Sequence, residues 1–303
     1  ESFTFDYDLP NNTAYTETCA AIGLVFWAQR MLNLELNSEY ADVMEKALYN
    51  GVLSGISLDG EKYFYVNPLE VWPEATEKRH DHRHVESSRQ RWFGCACCPP
   101  NIARLLASMG NYIYSRDENG IYTHLYADNE VEVNFGDNTF KMIQQTNYPW
   151  EGEVNITVNP EKEEKLILGF RIPGWCNQPQ VKVNNESVDI NKLSEDGYIK
   201  IERNWKKDDT VTLNFPMKIK RMYAHPEVRM NSSKVSLQKG PLIYCLEETD
   251  NGSNLSSIFL PEDSNLTSRF KDDLLGGVSI IEGKALKIKE LNSKKKIKIK
   301  LNI

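Results

Sequence analysis

The sequence has no long apolar run and no surplus of positive charge. None of its apolar stretches approaches the roughly 20 residues that a membrane-spanning helix needs, and its amino end has no basic segment followed by an apolar one, as a signal peptide would. The formal net charge is −7 at pH 7, whereas a protein that binds nucleic-acid phosphates presents a basic face. These absences argue against a membrane or a nucleic-acid partner and favour an uncharged ligand.

Histidine is also scarce, with only 5 in 303 residues, and three of them lie in His80–His84. Imidazoles at alternate positions can chelate a metal, but the highly charged stretch 74–91 has the composition of a solvated loop, so we predict no metal site there. His124 and His225 fall in strand-like segments and are interpreted as structural. A cysteine hydrolase of acyl or peptide bonds is therefore disfavoured, because such an enzyme pairs its thiol with a histidine base.

The chain has no initiator methionine and opens at Glu1 in the middle of a motif. We therefore expect an amino-terminal portion to precede it. With 303 residues the chain is long enough for two or three domains, each with a core of its own.

Cysteine is unevenly distributed, since four of the 6 cysteines are Cys19, Cys95, Cys97 and Cys98. Three thiols within four positions cannot all pair with one another, because adjacent cysteines rarely reach disulfide geometry. Clustered thiols instead favour a metal site and a reducing cytoplasm, with the periplasm as the alternative location. Cys176 and Cys245 stand alone in strand-like segments, and we assign them no function.

Soft thiolates together with a carboxylate favour zinc, which takes four ligands in a tetrahedron. Glu17, Cys19, Cys97 and Cys98 would supply one carboxylate and three sulfurs. A closed four-ligand site is normally structural. However, Pro99-Pro100 marks the first turn of a helix, where the helix dipole and a metal both favour the nucleophilic thiolate. A structural zinc and a catalytic cysteine therefore both remain open.

The first half of the predicted site poses a geometric problem. Apolar residues recur every three to four positions from Ala14 to Leu34, which predicts a helix that begins near Thr13. On an ideal helix Glu17 and Cys19 would point about 200° apart. Joint ligation of a metal therefore requires an irregular start to this helix.

Helical patterns occupy the first third of the sequence and strand patterns the rest. Further helices are predicted from Glu39 to about Leu53 and from Ile102 to Ile113, with a short extended segment at Lys62–Val71. After Ser115 short alternating segments indicate antiparallel β-sandwiches, and Asn134, Gly136, Asp137 and the pair Asn159-Pro160 are interpreted as breaks between strands. The alternating segments are Ile121–Tyr126, Glu130–Phe135, Glu153–Val158, Lys165–Ile172, Gln180–Val183, Tyr198–Glu202 and Thr210–Phe215, followed by a second all-β block with its core at Val235–Leu246 and a closing strand at Lys294–Ile303. We predict domains at 1–115, 116–217 and 218–303.

Several motifs follow one another along the chain. They are Glu1-Ser2-Phe3 through Asp8-Leu9-Pro10-Asn11, Glu17-x-Cys19, Tyr63-x-Tyr65-x-Asn67-Pro68-Leu69, Cys95-x-Cys97-Cys98-Pro99-Pro100-Asn101, Arg171-Ile172-Pro173-Gly174-Trp175 and Gly240-Pro241-Leu242-Ile243-Tyr244-Cys245-Leu246-Glu247. In this order they resemble the motifs of glycoside hydrolase family 127, with family 146 as a close relative, and the likeness covers nearly the whole chain.

The resemblance implies a retaining β-L-arabinofuranosidase with a zinc-bound thiolate. Cys97 matches the family's nucleophile, which forms a thioglycosyl intermediate, and Glu1 matches its general acid/base. Glu17, Cys19, Cys97 and Cys98 match the zinc ligands, while Tyr65 and Glu17 match positions that hold the substrate. Tyr63 is interpreted as ordinary packing.

The family fold implied is an (α/α)6 catalytic barrel, of which this chain would be the carboxyl half, followed by two antiparallel β-sandwich domains. The helices before Glu1 would provide the other half of the pocket, and a free α-amino group on Glu1 would lower the pKa of its own carboxyl. We therefore expect the isolated 303-residue chain to be inactive.

The expected partner is an arabinose-containing oligosaccharide or glycan. The alternative function is a non-catalytic carbohydrate-binding or scaffold protein in which zinc is structural. The sequence leaves open the natural glycan, the linkage, the choice between families 127 and 146, and the oligomeric state, a homodimer included.

Overall fold

A computed structural model describes residues 4–290 and 293–302. Its backbone contacts divide the chain into two compact units, one formed by Leu9–Met217 and the other by Phe5–Asp8 with the residues from Lys218 onward. Among the described residues, no helix combines the length and the apolar character needed to cross a membrane.

The first unit opens with helices separated by irregular segments. Their bounds are α1 Thr18–Leu32, α2 Ser38–Ala47, α3 Pro73–Lys78, α4 Cys98–Ala107 and α5 Gly110–Ile113. The predicted helix at Glu39–Leu53 is only partly regular, because α2 continues as a π-helical turn, Leu48–Val52, and a 3-10 turn, Leu53–Gly55. Asn37 caps α2 by accepting a hydrogen bond from the Glu39 amide at 2.9 Å, which satisfies a donor that the first turn leaves free.

One apolar core joins α1, α2 and α4. It includes Ile22 and Val25 of α1, Met44 of α2 and Leu105 of α4, all fully buried. Burial of residues three to four positions apart stabilises each helix against its neighbours. Since α1 carries Cys19 and α4 begins at Cys98, this core fixes the two cysteine-bearing helices relative to each other.

The remainder of the first unit is β-structure. Its strands are β1 Tyr114–Arg116, β2 Gly120–Thr123, β3 Asn129–Phe135, β4 Asn138–Thr146, β5 Glu153–Pro160, β6 Glu164–Arg171, β7 Gln180–Val183, β8 Glu186–Ser187, β9 Ser194–Glu195, β10 Tyr198–Trp205 and β11 Asp209–Asn214, with a short helix, α6 Ile190–Leu193, between β8 and β9. They form a sheet ordered β1-β2-β6-β10-β9 and another ordered β3-β4-β5-β11-β7-β8. Residues of both sheets, such as Phe140 and Leu168, share one core.

Strand β4 and the parallel pairing of one pair of strands were not predicted from the sequence. Gly136 and Asp137 were interpreted as a break, and they are the turn of a hairpin in which Phe135 of β3 pairs with Asn138 of β4. Gly136 has φ +55°, a conformation that glycine adopts without steric cost. The pair β2–β6 is parallel, whereas the alternating pattern had predicted antiparallel strands throughout.

The second unit contains one further sheet. Its elements are β12 Ile219–Met222, β13 Ser236–Lys239, β14 Leu242–Leu246, α7 Glu248–Asn251, β15 Ile258–Phe259, β16 Leu266–Lys271, β17 Val278–Glu290 and β18 Ser293–Asn302. The sheet is ordered β12-β13-β14-β18-β17-β15, and β16 also pairs with β17. The predicted fold class, a helical portion followed by mostly antiparallel sheets, is confirmed.

Candidate functional site

The approach to α1 is irregular in the way that joint ligation requires. Helix α1 begins at Thr18, five residues later than predicted, and Glu17 is its N-cap in an extended conformation with φ −72° and ψ 137°. The Thr18 amide donates to the Tyr65 carbonyl at 3.0 Å, and the Thr18 hydroxyl donates to the Phe64 carbonyl at 2.8 Å. Because this pairing holds Glu17 outside the helix, the angular conflict between Glu17 and Cys19 does not arise.

Two further cysteines lie at the start of α4. Cys97 is the N-cap and Cys98 the first helical residue, while Pro99 and Pro100 occupy first-turn positions where an amide would have no helical partner. The helix whose first turn was predicted at Pro99-Pro100 therefore begins at Cys98, in agreement with the prediction, and the helical run Ile102–Ile113 is interrupted between α4 and α5.

The four predicted ligands converge. The ligand atoms of Glu17, Cys19, Cys97 and Cys98 all lie within 4.8 Å of one another. The Cys98 sulfur is 3.7 Å from that of Cys19 and 3.8 Å from that of Cys97. A tetrahedron with metal–sulfur bonds of about 2.3 Å has sulfur–sulfur edges of about 3.8 Å. The donor set and its spacing therefore fit a four-coordinate metal ion.

The electrostatics of the cluster also favour a cation. Burial raises the pKa of the Cys97 thiol to about 11, and burial with the neighbouring Cys19 raises that of Cys98 as well. At neutral pH such thiols stay protonated unless a positive charge stabilises the thiolates. Whether these cysteines are thiols or thiolates at neutral pH thus depends on whether the cluster holds a cation.

An aromatic wall adjoins the cluster. The Tyr65 hydroxyl lies 3.4 Å from the Cys97 sulfur, and the Tyr65 ring lies between Tyr15, with centroids 6.2 Å apart, and Phe93, at 5.7 Å. The hydrogen bond with Cys97, together with burial, raises the pKa of Tyr65. Tyr63 is 4% exposed and packs on Phe93 at 5.0 Å.

Sequence reasoning missed Tyr15 and Phe93. Both adjoin predicted residues, since Tyr15 comes two positions before Glu17 and Phe93 four before Cys97. Neither has a pattern of its own, because a single aromatic residue beside a motif is as typical of a core as of a site.

The histidine-rich stretch is not the solvated loop that its composition indicated. It contains α3 and a 3-10 turn, His80–His82, and His82 is only 1% exposed, with Nδ1 2.8 Å from an Asp81 oxygen. His84 is half-buried against the Tyr15 ring, with centroids 5.4 Å apart, and burial lowers its pKa. The charge composition gave the wrong prediction for this stretch because it does not show which histidine rings are buried in the fold.

One predicted site residue is not among those that the structure describes. Glu1, the expected general acid/base, lies outside the described residues. Of the predicted site residues, the structure brings together Glu17, Cys19, Cys97, Cys98 and Tyr65.

Family models match the chain in three consecutive parts. Residues 1–111 match the β-L-arabinofuranosidase GH127 catalytic domain, residues 120–217 the GH127 middle domain, and residues 219–298 the glycoside hydrolase family 127 C-terminal domain. The chain belongs to glycoside hydrolase family 127.

Individual relatives agree. A non-reducing end β-L-arabinofuranosidase of Bifidobacterium longum subsp. longum is 40% identical over 290 residues, which are 93% of this chain and 43% of the relative. The crystal structure of a GH127 β-L-arabinofuranosidase from Geobacillus stearothermophilus T6 is 52% identical with a TM-score of 0.95, covering 99% of this chain and 49% of that one. A GH127 β-arabinofuranosidase structure is 34% identical with a TM-score of 0.88, covering 99% and 48%. The chain thus spans about half the length of these relatives.

Proposed function

We propose that this chain carries the nucleophile and the metal ligands of a retaining glycoside hydrolase that releases L-arabinofuranose from β-linked arabinofuranosides. The observation that carries the proposal is the cluster of Glu17, Cys19, Cys97 and Cys98, with ligand atoms within 4.8 Å of one another, at the start of two helices. The relatives named as β-L-arabinofuranosidases support the reaction and an arabinose-containing glycan as substrate.

The proposed reaction has two displacements. In the first, the Cys97 sulfur attacks the anomeric carbon, the bond to the leaving oxygen breaks, and Glu1 gives that oxygen a proton. In the second, Glu1 takes a proton from water as the water oxygen attacks the same carbon, and the sulfur leaves with the electron pair of the carbon–sulfur bond. Two inversions give net retention.

The metal we propose is Zn²⁺, held by Glu17, Cys19, Cys97 and Cys98. When bound, it supplies the positive charge that keeps buried sulfur deprotonated at neutral pH. Three sulfurs and one carboxylate form a ligand set that selects zinc over magnesium or calcium, which prefer oxygen. Glu17 lies beside Cys97, with its Oε1 3.4 Å from the sulfur, so the proposed second role of Glu17 in holding the sugar is compatible with its position.

We also propose a domain architecture for the chain. We infer that the helical part is the carboxyl half of an (α/α)6 barrel and that residues 116–217 and 218–303 are β-sandwich domains. The shared core of the two sheets in the first unit supports a sandwich at 116–217, and the division of backbone contacts between Met217 and Lys218 supports the boundary. The single sheet of the second unit supports an all-β domain there. A cytoplasmic location remains a prediction from the clustering of cysteines in the sequence.

Turnover is the direct test of the proposed function. We would assay aryl β-L-arabinofuranoside cleavage by the 303-residue chain and by a chimaera completed with the unmatched half of the Geobacillus relative. We expect the chimaera to release the aglycone from the furanoside much faster than from the matching pyranoside, and the chain alone to be inactive. If the chimaera cleaves no glycoside yet binds zinc, the scaffold alternative with a structural zinc is correct.

Zinc removal is expected to destabilise the chain. A ligand present at 100 times its Kd stabilises the folded state by about 2.7 kcal/mol, so stripping zinc should lower the free energy of unfolding by about 3 kcal/mol or more. Metal analysis should find one equivalent in the parent and in Cys95→Ser, whose thiol is exposed, and much less in Cys98→Ser. Equal zinc in Cys98→Ser would contradict the proposed ligand set.

A further inference from the structure

We propose that Tyr65, supported by Tyr15, acts on the departure of the Cys97 sulfur from the sugar rather than only on sugar binding. Tyr65 would be a catalytic residue, because its hydroxyl touches a reacting atom, and Tyr15 a positioning residue. This inference rests on the proposed function and adds a role for the Tyr65 phenol in its second displacement.

The backbone fixes where the Tyr65 hydroxyl lies. The Tyr65 carbonyl accepts the Thr18 amide at 3.0 Å, one residue from Glu17, and the next residue, Val66, forms a bridge with Glu17. The ring is held between Tyr15 and Phe93. The 3.4 Å contact between the Tyr65 hydroxyl and the Cys97 sulfur is therefore anchored to the same segment that carries the metal ligand Glu17.

The ionisation of Cys97 fixes the direction of its hydrogen bond with Tyr65. A thiolate can only accept, and a phenol has a single O–H. When Cys97 is a thiolate, Tyr65 must therefore donate to the sulfur. The Tyr15 ring packs edge-on against the Tyr65 ring, with centroids 6.2 Å apart, and also packs on His84. Tyr15 thus helps to hold the Tyr65 donor towards the nucleophile.

The hydrogen bond from Tyr65 to the Cys97 sulfur favours the second displacement over the first. As the carbon–sulfur bond breaks, the electron pair passes to sulfur and the proton of the attacking water goes to the acid/base, while Tyr65 keeps its proton. The hydrogen bond strengthens as charge builds on sulfur, because bonds to charged acceptors are the stronger ones. Before the first displacement the same bond stabilises the attacking thiolate, so it gives no advantage there.

Tyr65→Phe should therefore slow the second displacement selectively. With an aryl substrate that has a good leaving group, we expect kcat of the active chimaera to fall about tenfold, equivalent to about 1.4 kcal/mol, while kcat/KM changes less than threefold. The thioglycosyl form should accumulate and be seen by intact-protein mass spectrometry. Tyr15→Leu, which removes the ring that packs against Tyr65, should act in the same direction with a smaller effect. A role limited to holding the sugar would instead lower kcat/KM without accumulation of the intermediate.

Tyr63→Phe is the matched control. It removes the same atom from the same segment, and Tyr63 packs on the same Phe93 ring, so it reports the cost of disturbing the aromatic wall. We expect its kcat and intermediate level to equal those of the parent. Equal accumulation in Tyr63→Phe and Tyr65→Phe would overturn the inference.

A spectroscopic arm separates this inference from the proposed activity. With Co²⁺ in place of zinc, sulfur-to-metal charge-transfer bands report electron density on sulfur, which hydrogen bonds reduce. We expect the bands of the 303-residue chain to move to lower energy in Tyr65→Phe and to stay in place in Tyr63→Phe. Unchanged bands in Tyr65→Phe, or no cobalt uptake by the parent, would overturn the inference. Shifted bands, together with no turnover by the chimaera, would support the hydrogen bond and refute the glycosidase.

Discussion

Replacing Cys97 by serine in the active chimaera is expected to reduce turnover of an aryl β-L-arabinofuranoside by at least about a thousandfold, because loss of a nucleophile removes the covalent route altogether. A serine hydroxyl is not ionised at neutral pH, and within the part of the chain that the structure describes this cluster contains no histidine to act as its base. Glu17, Cys19 and Cys98 would remain as ligands, so the variant should keep part of its zinc affinity. Steady-state release of the aglycone and metal analysis measure the two effects separately.

Cys95→Ser is the control for this prediction. Cys95 lies two residues away and is exposed, and its sulfur is not part of the four-ligand cluster. The same Cys-to-Ser change there should leave both turnover and zinc content at the parent level. Turnover that survives in Cys97→Ser would place the nucleophile elsewhere, and turnover lost in both variants would point to a general effect of thiol removal.

The cysteine half of the candidate site was predictable because local chemistry determines it. Two prolines directly after Cys98 fix the first turn of α4, and thiols this close in sequence cannot be far apart in space. The ligand set of Glu17, Cys19, Cys97 and Cys98 was therefore available from residue types, while its convergence depended on the pairing of Thr18 with the Phe64-Tyr65 segment. That pairing joins segments far apart in the chain, and no local pattern announces it.

The same limit explains the errors in the fold. Helical periodicity continues through Ala14 and Cys19, so it could not show that tertiary hydrogen bonds hold Glu17 extended. The turn at Gly136-Asp137 was recognised, but the strand that follows it was not, although Phe140 and Met142 of β4 are fully buried. A sequence pattern predicts helices and strands that depend on contacts between residues close in sequence. It does not predict the conformation of a segment that depends on contacts with residues far away in the chain.

Replacing Glu45 by glutamine is expected to lower the free energy of unfolding of the first unit by about 3 kcal/mol or more, the cost of breaking a buried ion pair by neutralising one partner. The Arg171 guanidinium is fully buried and pairs with Glu45 of α2 and with Asp42. Both Glu45 oxygens accept hydrogen bonds, from Tyr148 at 2.5 Å and from Trp175 at 3.2 Å. A glutamine amide would face these donors with N–H groups of its own.

Tryptophan fluorescence isolates the unit in question. All 6 tryptophans lie within Leu9–Met217. A urea titration followed by fluorescence therefore reports the first unit alone, and the midpoint should fall in Glu45→Gln with an unchanged slope. Glu74→Gln is the matched control, since it breaks an exposed pair with Lys78 and should leave the midpoint where it is.

A double variant decides whether the ion pair itself is responsible. Arg171→Met alone should be at least as destabilising as Glu45→Gln, because it leaves two carboxylates near each other without their cation. If the effect comes from the pair, combining Arg171→Met with Glu45→Gln should cost clearly less than the sum of the two single changes, since each removes a charge that the other had left unpaired. Additive losses would mean that the two residues act separately, and that the motif around Arg171 stabilises the first unit through packing alone.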